Sequence, residues 1–400
     1  MSLNETPLAN RVHIGIFGKR NAGKSSLMNA LIGQEIAIVS EVKGTTTDPV
    51  YKAMELLPLG PIALIDTPGI DDEGELGALR ARKARQTLNK TDAAIVAVDS
   101  AIGLEEADLE LIRLLRAKEI PYIVAYNKSD LIASGAQIEK NAIAVSAKTG
   151  ENIDALKEMI AALPSGGETK LRLVGDLINA GDFVALVTPI DKSAPKGRLI
   201  LPQQQTIRDI LEADAIAVAV KEQELRQTLS LLGKKPSLVV TDSQVFAKAA
   251  ADVPLDIPLV SFSILFARYK GFLAQALKGV AVVDRLEDGD RILISEGCSH
   301  HRQCDDIGRV KLPRWIKNHA NKRLEFDFTS GADFPDDLSP YRLIVHCGGC
   351  MLNDREMKYR RSLAADQEKA ITNYGVLIAH MQGILKRSVA MFPHLAALVE

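Results

Sequence analysis

Eight residues near the N-terminus, Gly18 to Ser25, match the pattern G-x-x-x-x-G-K-[ST] without a mismatch. The apolar run HIGIF precedes this segment, and the helix-forming stretch SLMNALIG follows it. A strand that turns through glycines directly into a helix predicts the first unit of an α/β fold. The backbone N–H groups of such a loop can close around phosphate oxygens, and the helix N-terminus adds a favourable dipole.

The alternation of strand and helix patterns continues through residues 11–163. Runs such as IALIDT, AAIVAVD, PYIVAYN and AIAVSA have the composition of buried strands, and EADLELIRLLRAKE has helical periodicity. This alternation predicts a parallel sheet covered on both faces. The Pro/Gly/Ser-rich segment LPSGGETK then marks a boundary, so the first domain is predicted at residues 1–165.

Two further domains are predicted from the remaining sequence. Residues 171–265 alternate apolar runs such as RLILP and AIAVAV with helical stretches, which indicates a second, smaller α/β domain. It has no glycine-rich loop and no catalytic constellation, so a scaffold or oligomerisation role is favoured. Residues 266–400 form the third domain, which contains all four cysteines and six of the seven histidines.

Composition narrows the classes of protein to which the chain can belong. The formal net charge of −2 shows no basic excess, which argues against a generic nucleic-acid-binding surface. No run of apolar residues is long enough to span a membrane, and the N-terminus lacks the pattern of a secretory signal. Four cysteines in 400 residues are too few for a disulfide scaffold. We therefore expect a cytoplasmic protein whose thiols stay reduced, with neither nucleic acid nor membrane as a partner.

Short motifs at the ends of the predicted strands extend the phosphate-loop prediction. Lys24 is expected to contact the β- and γ-phosphates, and Ser25 to bind Mg²⁺. In DTPG, Asp66 is placed to bind Mg²⁺ through water, and the N–H of Gly69 to meet the γ-phosphate. The segment GTTTDP, at residues 44–49, is expected to supply a threonine that completes the magnesium shell.

The motif NKSD indicates which base the site accepts. Asp130 can accept two hydrogen bonds from the N1–H and N2–H₂ edge of guanine, whereas adenine presents the opposite pattern, so GTP is predicted. Asn127 and Lys128 are expected to support the loop and cover the base. Ser146 and Ala147, in the motif SAK, are expected to back the guanine.

These motifs, in this order, resemble those of the GTPases similar to TrmE and Era over the first 165 residues. Alignment on G-x-T-x-D implies that Thr46 is the switch threonine, with Thr45 and Thr47 as alternatives. The resemblance implies that Asn21 helps to hold K⁺, which would stabilise charge in the transition state. Ile70 replaces the glutamine of Ras-like proteins and cannot orient water, so slow intrinsic hydrolysis is expected.

Together, these motifs predict a complete set of residues for the nucleotide site. The residues predicted to take part in catalysis are Lys24, Asn21 and Thr46. The residues predicted to bind GTP are Gly18, Asn21, Ala22, Gly23, Lys24, Ser25, Ser26, Thr46, Asp66, Gly69, Asn127, Lys128, Asp130, Ser146 and Ala147. Magnesium is assigned to Ser25, Thr46 and Asp66.

Three cysteines follow predicted strands in the third domain. Cys298 follows RILIS, and Cys347 and Cys350 follow RLIV in a C-x-x-C arrangement with two glycines. Three thiolates with nearby imidazoles suit zinc or an iron–sulfur cluster. Cys304 could complete a four-cysteine zinc site, and spacing alone leaves both alternatives open.

The segments CSH and HCGGC resemble the C-x-H…H-C-x-x-C motif of the maturation GTPases for FeFe-hydrogenases. That resemblance implies a dimerising middle domain and a homodimer or higher homo-oligomer. It also implies a 4Fe–4S cluster on Cys298, Cys347 and Cys350, with Cys304 a bystander. The implied role is a scaffold that receives a di-iron precursor from two radical-SAM maturation enzymes and passes it to apo FeFe-hydrogenase.

Three thiolates leave one iron of a four-iron cluster with a replaceable ligand. The candidates for this position are Glu296, His346 and His300, although each histidine can instead act as a hydrogen-bond donor next to the site. His319, His380 and His394 have no partner by spacing and are expected to be ordinary surface or core residues.

The leading interpretation is a GTP-hydrolysing scaffold that carries a cluster. The alternatives are a tRNA-modifying type of GTPase with a structural four-cysteine zinc site, and a plain iron–sulfur redox protein. Against the first stands the lack of an evident folate or RNA platform. Against the second stands the complete set of GTPase motifs, which redox transfer does not need.

Overall fold

The computed structural model divides the chain into two compact units, Met1–Glu168 and Thr169–Glu400. The residues that it describes are 6–33, 49–69, 83–84, 86–132, 141–163, 171–190, 199–297 and 306–399. Within these residues, every helix is too short or too polar to cross a lipid bilayer.

The first unit contains a six-stranded sheet. Its strands are β1 (Val12–Phe17), β2 (Val50–Leu56), β3 (Gly60–Asp66), β4 (Ala93–Asp99), β5 (Tyr122–Asn127) and β6 (Ala142–Ala144). The order is β2-β3-β1-β4-β5-β6, and all neighbours are parallel except β2, which is antiparallel to β3. The helices whose full bounds the structure describes are α1 (Lys24–Ile32), α2 (Glu106–Ala117) and α3 (Ile153–Ala162).

Strand β4 shows why this sheet needs helices on both faces. Successive side chains of a strand point to opposite faces, and those of β4 are apolar and buried from Ala93 to Val98. Ile95 belongs to the core on the side of α1 and α3, whereas Val96 belongs to the core on the side of α2. The predicted parallel sheet with two covered faces is thus confirmed, and it follows the rule for buried parallel strands.

The antiparallel edge strand β2 is a feature that the motif analysis did not predict. Its sequence, VYKAMEL, is only partly buried until its last residue, so it lacks the continuous apolar run of the central strands. Gly60, with φ of 78°, begins the returning strand β3 and permits the short connection between the two. An edge strand pairs with a neighbouring strand on one side only and is less buried, so it tolerates such a mixed composition.

The second unit contains two four-stranded sheets, and all of their strands are parallel. The first has the order β10-β9-β7-β8, and the second has the order β12-β11-β13-β14. The strands are β7 (Phe183–Val187), β8 (Ile216–Val220), β9 (Leu238–Thr241), β10 (Leu259–Ser261), β11 (Arg291–Glu296), β12 (Glu325–Ser330), β13 (Leu343–His346) and β14 (Ala370–Asn373).

Helices connect and cover these strands. They are α4 (Leu201–Leu211), α5 (Leu225–Leu231), α6 (Phe246–Asp252), α7 (Phe262–Tyr269), α8 (Leu273–Val280), α9 (Leu312–Ala320), α10 (Asp354–Asp366), α11 (Tyr374–Met381), α12 (Leu385–Val389) and α13 (Pro393–Ala396). Short 3₁₀ segments occur at Leu8–Asn10, Ser129–Leu131, Ser243–Val245 and Ala281–Arg285, and a π-helical turn at Ile307–Lys311.

Both sheets of the second unit share one hydrophobic core. Buried residues such as Leu186 in β7 and Ile294 in β11 belong to the same continuous cluster. The boundary expected between residues 265 and 266 falls inside helix α7, so two folded domains cannot separate at that point. The run RLILP, expected to be a strand, instead leads into α4, where Pro202 occupies the first turn.

Candidate functional site

The glycine-rich loop of the first unit connects β1 to α1. Gly18 and Gly23, the two glycines of the pattern, both have positive φ, 143° and 83°. A side-chain carbon at Gly18 would collide with the carbonyl oxygen of Ala97, and one at Gly23 with the amide of Asn127. The loop therefore requires glycine at both positions for space as well as for conformation.

Lys24 opens helix α1 and directs its ammonium group back over the loop. Its Nζ donates to the carbonyl oxygens of Gly18, at 3.0 Å, and of Lys19, at 2.6 Å. The residue is 8% exposed, so the charge is held in place by the loop that it follows. A phosphate in this loop would meet a fixed positive charge in addition to the N–H groups at the helix N-terminus.

Ser25 and Asp66 come together at the end of β3. The Ser25 hydroxyl donates to Asp66 Oδ2 at 2.5 Å, whereas the buried Asp66 Oδ1 has no hydrogen-bond partner among the described residues. Burial raises the pKa of Asp66, opposed by the Ser25 hydrogen bond and by Lys24 and Lys52. A hydroxyl beside an unsatisfied carboxylate oxygen fits the hard oxygen ligands that Mg²⁺ prefers. Thr46 lies outside the described residues.

Asn127 links the phosphate loop to the predicted base-binding loops. Its side chain is 2% exposed, donates to the carbonyl of Ala22 at 3.0 Å, and accepts from the N–H of Ala147 at 3.0 Å. Ser146 donates to Asp130 Oδ1 at 2.7 Å, which positions the carboxylate expected to recognise guanine. Three motifs far apart in the sequence therefore share one hydrogen-bonded framework.

Lys128 has a partner that the motif analysis missed. Its backbone is left-handed, with φ of 66°, and its Nζ donates to Asp99 Oδ2 at 2.7 Å. This hydrogen bond is the main cause of the lowered pKa of Asp99, which lies at the end of β4. In the sequence, only the position of Asp99 could have indicated this contact. It lies at the end of the predicted strand next to the one that precedes NKSD.

The other predicted nucleotide residues lie around the same edge of the sheet. Asn21 is exposed at the tip of the loop, with φ of 63°, and Ser26 is exposed in the first turn of α1. Gly69 follows β3, three residues after Asp66.

The candidate metal site of the second unit lies at the carboxyl ends of β11 and β13. Ser295 is paired with His346 in the parallel register, so one residue further along Glu296 falls beside Cys347. The N–H of Gly297 donates to Cys347 Sγ at 3.0 Å, and that of Gly349 at 3.4 Å. These contacts bring the end of β11, next in sequence to Cys298, to the CGGC turn. Cys298, His300 and Cys304 lie outside the described residues.

The two described thiols are half-buried and lie close to each other. Burial raises the pKa of Cys347, and it raises that of Cys350 to about 12, with the charge of Cys347 adding to the effect. The positive charge of Lys270 lowers the pKa of Cys350, and its Nζ donates to Asp354 at 2.7 Å. Two adjacent thiols, with two N–H groups directed at the sulfur of Cys347, suit a soft metal or cluster that binds thiolates.

Glu296 reaches the cysteine side of the sheet. It is 6% exposed, and the hydroxyl of Tyr374 donates to its Oε1 at 3.3 Å. A side-chain carbon at Gly308 would collide with this carboxylate, which explains the glycine there. Burial raises the pKa of Tyr374, and the negative charge of Glu296 raises it further.

His346 precedes Cys347 at the end of β13 and is held by contacts at both ring nitrogens. It is fully buried, and its Nδ1 lies 2.8 Å from the Cys347 carbonyl oxygen. Its Nε2 accepts from Arg360 at 3.0 Å. Burial and the charge of Arg360 lower the pKa of His346 to about 3, so the ring is neutral and both nitrogens are used. Both ring nitrogens thus contact other groups, and the role of His346 as a cluster ligand stays a prediction.

Arg360 is a buried residue that no motif indicated. Its guanidinium donates to Glu356 at 2.9 Å, to Ser295 at 3.2 Å and to the Gly331 carbonyl at 2.6 Å. It is 0% exposed, and its hydrogen bonds to Glu356 and Ser295 are buried. Because Glu356 and Arg360 are four residues apart on α10, only their spacing as a helical ion pair could have suggested the contact.

The expectation that His319 and His380 have no partners is wrong. Both contact Asp284, which lies in the 3₁₀ segment Ala281–Arg285. The three residues are far apart in sequence and converge only in the folded chain. His394 remains an exposed residue, as expected.

Three protein families match the chain. The Hydrogen maturase F dimerization domain matches residues 173–271, and the Hydrogen maturase F tetramerization domain matches residues 274–391. The 50S ribosome-binding GTPase family matches residues 13–128. The two maturase families meet between residues 271 and 274, where α7 ends and α8 begins.

Curated relatives match only the N-terminal part. The tRNA modification GTPase MnmE of Desulfotalea psychrophila is 34% identical over 167 residues, which are 38% of this chain and 35% of that protein. The MnmE of Legionella pneumophila (strain Corby) is 37% identical over 147 residues, 36% of this chain and 33% of that protein. The chain thus spans about a third of the length of the curated relatives that it matches.

Among solved structures, the G domain of the T. maritima FeoB iron transporter is 27% identical. The match covers 38% of this chain and 97% of that chain, with a TM-score of 0.30, which is too low to bear on the fold. The GTPase family and the two maturase families, matched in succession along one polypeptide, show that the chain belongs to the hydrogen maturase F family, with a GTPase domain at its N-terminus.

Proposed function

We propose that the chain hydrolyses GTP and serves as a scaffold that carries a 4Fe–4S cluster and delivers a di-iron cofactor precursor to apo FeFe-hydrogenase. The observation that carries the proposal is the contact between Gly297 N–H and Cys347 Sγ, at 3.0 Å. It places the residue before Cys298 against the CGGC turn, in a chain of the hydrogen maturase F family. Two radical-SAM maturation enzymes are the proposed source of the precursor.

The GTPase domain supplies the nucleotide chemistry of this proposal. The N–H groups of the Gly18–Ser25 loop and the Lys24 ammonium bind the phosphates. Ser25, Asp66 and Thr46 hold Mg²⁺, which when bound neutralises charge on the β- and γ-phosphate oxygens. Asp130, held by Ser146, accepts the two N–H donors of guanine.

Potassium is proposed as a further cation at the phosphates, held in part by Asn21. The exposed side chain of Asn21 at the tip of the loop leaves it accessible to such an ion. Hydrolysis should then run faster in potassium than in sodium at equal ionic strength. Equal rates in the two salts would remove Asn21 from this role.

Cys298, Cys347 and Cys350 are the proposed ligands of the cluster, and Glu296 is the preferred fourth ligand. Glu296 is preferred because it lies beside Cys347 in the strand register. In addition, the two ring nitrogens of His346 already contact the Cys347 carbonyl oxygen and Arg360. His300 remains a candidate. A cluster held by three thiolates supplies one iron whose remaining ligand can be exchanged.

An activation assay tests the whole proposal. Full-length protein reconstituted with iron and sulfide, and then incubated with both radical-SAM enzymes, should activate apo FeFe-hydrogenase. Cys347→Ser should lose the cluster absorbance and the activation together, because an alcohol is a poor replacement for a thiolate. Cys304→Ser is the matched control and should retain both.

Two outcomes would contradict the proposal. A wild-type protein that holds its cluster but never activates the hydrogenase would rule out delivery. A protein that purifies with zinc, and loses it in Cys304→Ser, would instead support the four-cysteine zinc site. The similarity to MnmE gives no support to tRNA modification by this chain, because it is confined to the GTPase part.

A further inference from the structure

Asp284, His319 and His380 form a compact cluster on the second unit. His319 Nε2 lies 2.7 Å from Asp284 Oδ1, and His380 Nε2 lies 2.9 Å from Asp284 Oδ2. One potential ligand atom from each residue lies within 4.8 Å of the other two. Two imidazoles therefore approach one carboxylate from different sides, with their ring centroids 6.0 Å apart.

Three separate elements hold the cluster in place. Asp284 belongs to the 3₁₀ segment Ala281–Arg285, His319 to the last turn of α9, and His380 to the last turn of α11. The carbonyl end of a helix carries partial negative charge. Two helix C-termini and a carboxylate thus direct negative potential at one point, which favours a cation there.

The cluster lies at the opposite edge of the sheet from the cysteines. Tyr374, the first residue of α11, contacts Glu296 at the carboxyl edge. His380 lies about 9 Å further along the same helix, at a rise of ~1.5 Å per residue, toward the amino edge. The cluster is therefore a separate feature, and it does not depend on the proposed function of the cysteines.

We propose that Asp284, His319 and His380 bind a divalent transition-metal ion of the zinc type. Imidazole nitrogens with a carboxylate suit Zn²⁺ and its neighbours, whereas Mg²⁺ and Ca²⁺ prefer oxygen ligands throughout. Metal–ligand bonds of about 2.0–2.2 Å place tetrahedral ligand atoms about 3.3 Å apart. The two imidazole nitrogens lie 2.7 and 2.9 Å from different oxygens of Asp284, and one ligand atom of each residue lies within 4.8 Å of the other two, so the side chains must adjust to share one ion.

The exposure of the cluster leaves room for water as a further ligand. The side chains of His319 and His380 are 28% and 25% exposed, and that of Asp284 is 48% exposed. An ion can therefore enter from solvent without unfolding any element. Once bound, it links the 3₁₀ segment to two helices that cover the sheet, so it stabilises their packing at the amino ends of the strands.

Cobalt is the probe that separates this site from the cysteines. Metal-free full-length protein in which all four cysteines are changed to serine is titrated with Co²⁺ and followed by absorption. We expect one ion per chain with visible ligand-field bands and without the near-ultraviolet band of thiolate-to-cobalt charge transfer. Zn²⁺ should displace it, and excess Mg²⁺ should not.

Single variants then assign the ligands. His319→Ala and His380→Ala should each weaken Co²⁺ binding at least tenfold, whereas the exposed His394→Ala should leave it unchanged. Asp284→Asn keeps the size of the side chain but removes its charge and replaces one acceptor oxygen by a donor, and it should weaken binding while circular dichroism stays the same. This variant decides the matter if a histidine variant fails to fold. Unchanged affinity in these variants, or no binding of cobalt at all, would leave a hydrogen-bonded cluster only and overturn the proposal.

Discussion

Asp130 is the residue on which we expect base selection to depend. It accepts from Ser146 on one side, which leaves the carboxylate available to two N–H donors of guanine. Its replacement by an amide exchanges an acceptor for a donor and matches xanthine instead.

Asp130→Asn should therefore shift nucleotide preference from GTP toward XTP by at least tenfold. Competition binding with both nucleotides measures the shift. Asp154→Asn, an exposed carboxylate on α3 paired only locally with Lys157, is the matched control and should keep the preference for GTP. Tight ATP binding by the wild type would contradict the assignment of the base.

Arg360 and Glu356 form a buried ion pair, and the stability of the fold should depend on the presence of both partners. Arg360→Met leaves the Glu356 carboxylate, only 5% exposed, without its counter-charge. Loss of one partner of a buried pair costs roughly 3–5 kcal/mol in the free energy of unfolding. Chemical denaturation followed by circular dichroism should show this loss.

Arg208→Met is the matched control for that prediction. Arg208 and Glu212 form an ion pair with the same helical spacing, but their side chains are 77% and 51% exposed. Exposed pairs contribute only about 0–1 kcal/mol. Equal losses in the two variants would show that burial does not set the contribution of Arg360.

Strand β8 is the element at which we expect the chain to associate with a second copy. It lies at the edge of its sheet beside β7, and it contacts helix α4. Its sequence, IAVAV, is apolar, yet Ile216 is 44% exposed. An edge strand with exposed apolar side chains readily pairs with another chain.

Ile216→Lys should therefore weaken homo-oligomers of the full chain, because a charge at the edge opposes strand pairing. Analytical ultracentrifugation over a range of concentrations measures the change. Leu255→Lys alters a residue that is 88% exposed in a connecting segment and should not change the assembly. An unaltered oligomer in Ile216→Lys would place the interface elsewhere.

At the scale of the whole molecule, the nucleotide and cysteine sites belong to different compact units. Lys24→Ala removes the ammonium that the loop holds over the phosphate position, so GTP hydrolysis should fall at least a hundredfold. Cluster content should remain unchanged, because each unit has its own core. Lys157→Ala should affect neither property. Loss of the cluster in Lys24→Ala would show that the two sites are not separable.

The elements that the sequence predicted well are those with continuous apolar runs next to a motif. Strands β1, β4 and β5 are buried on both faces of a parallel sheet, and strands buried in this way consist mainly of apolar residues. The edge strand β2 and the start of α4 were missed or misassigned, because mixed or short apolar runs satisfy strand and helix patterns alike.

The sequence by itself determined the local chemistry of this chain: a glycine-rich loop, the strand-end motifs and the C-x-x-C turn, since each depends on neighbouring residues. Tertiary structure alone decided the contacts between distant segments. The pairing of β11 with β13 turns Glu296 toward Cys347 and His346 toward Arg360, because adjacent residues of a strand face opposite sides of the sheet. The Asp284, His319 and His380 cluster likewise exists only where three helical elements end together, which no spacing along the chain encodes.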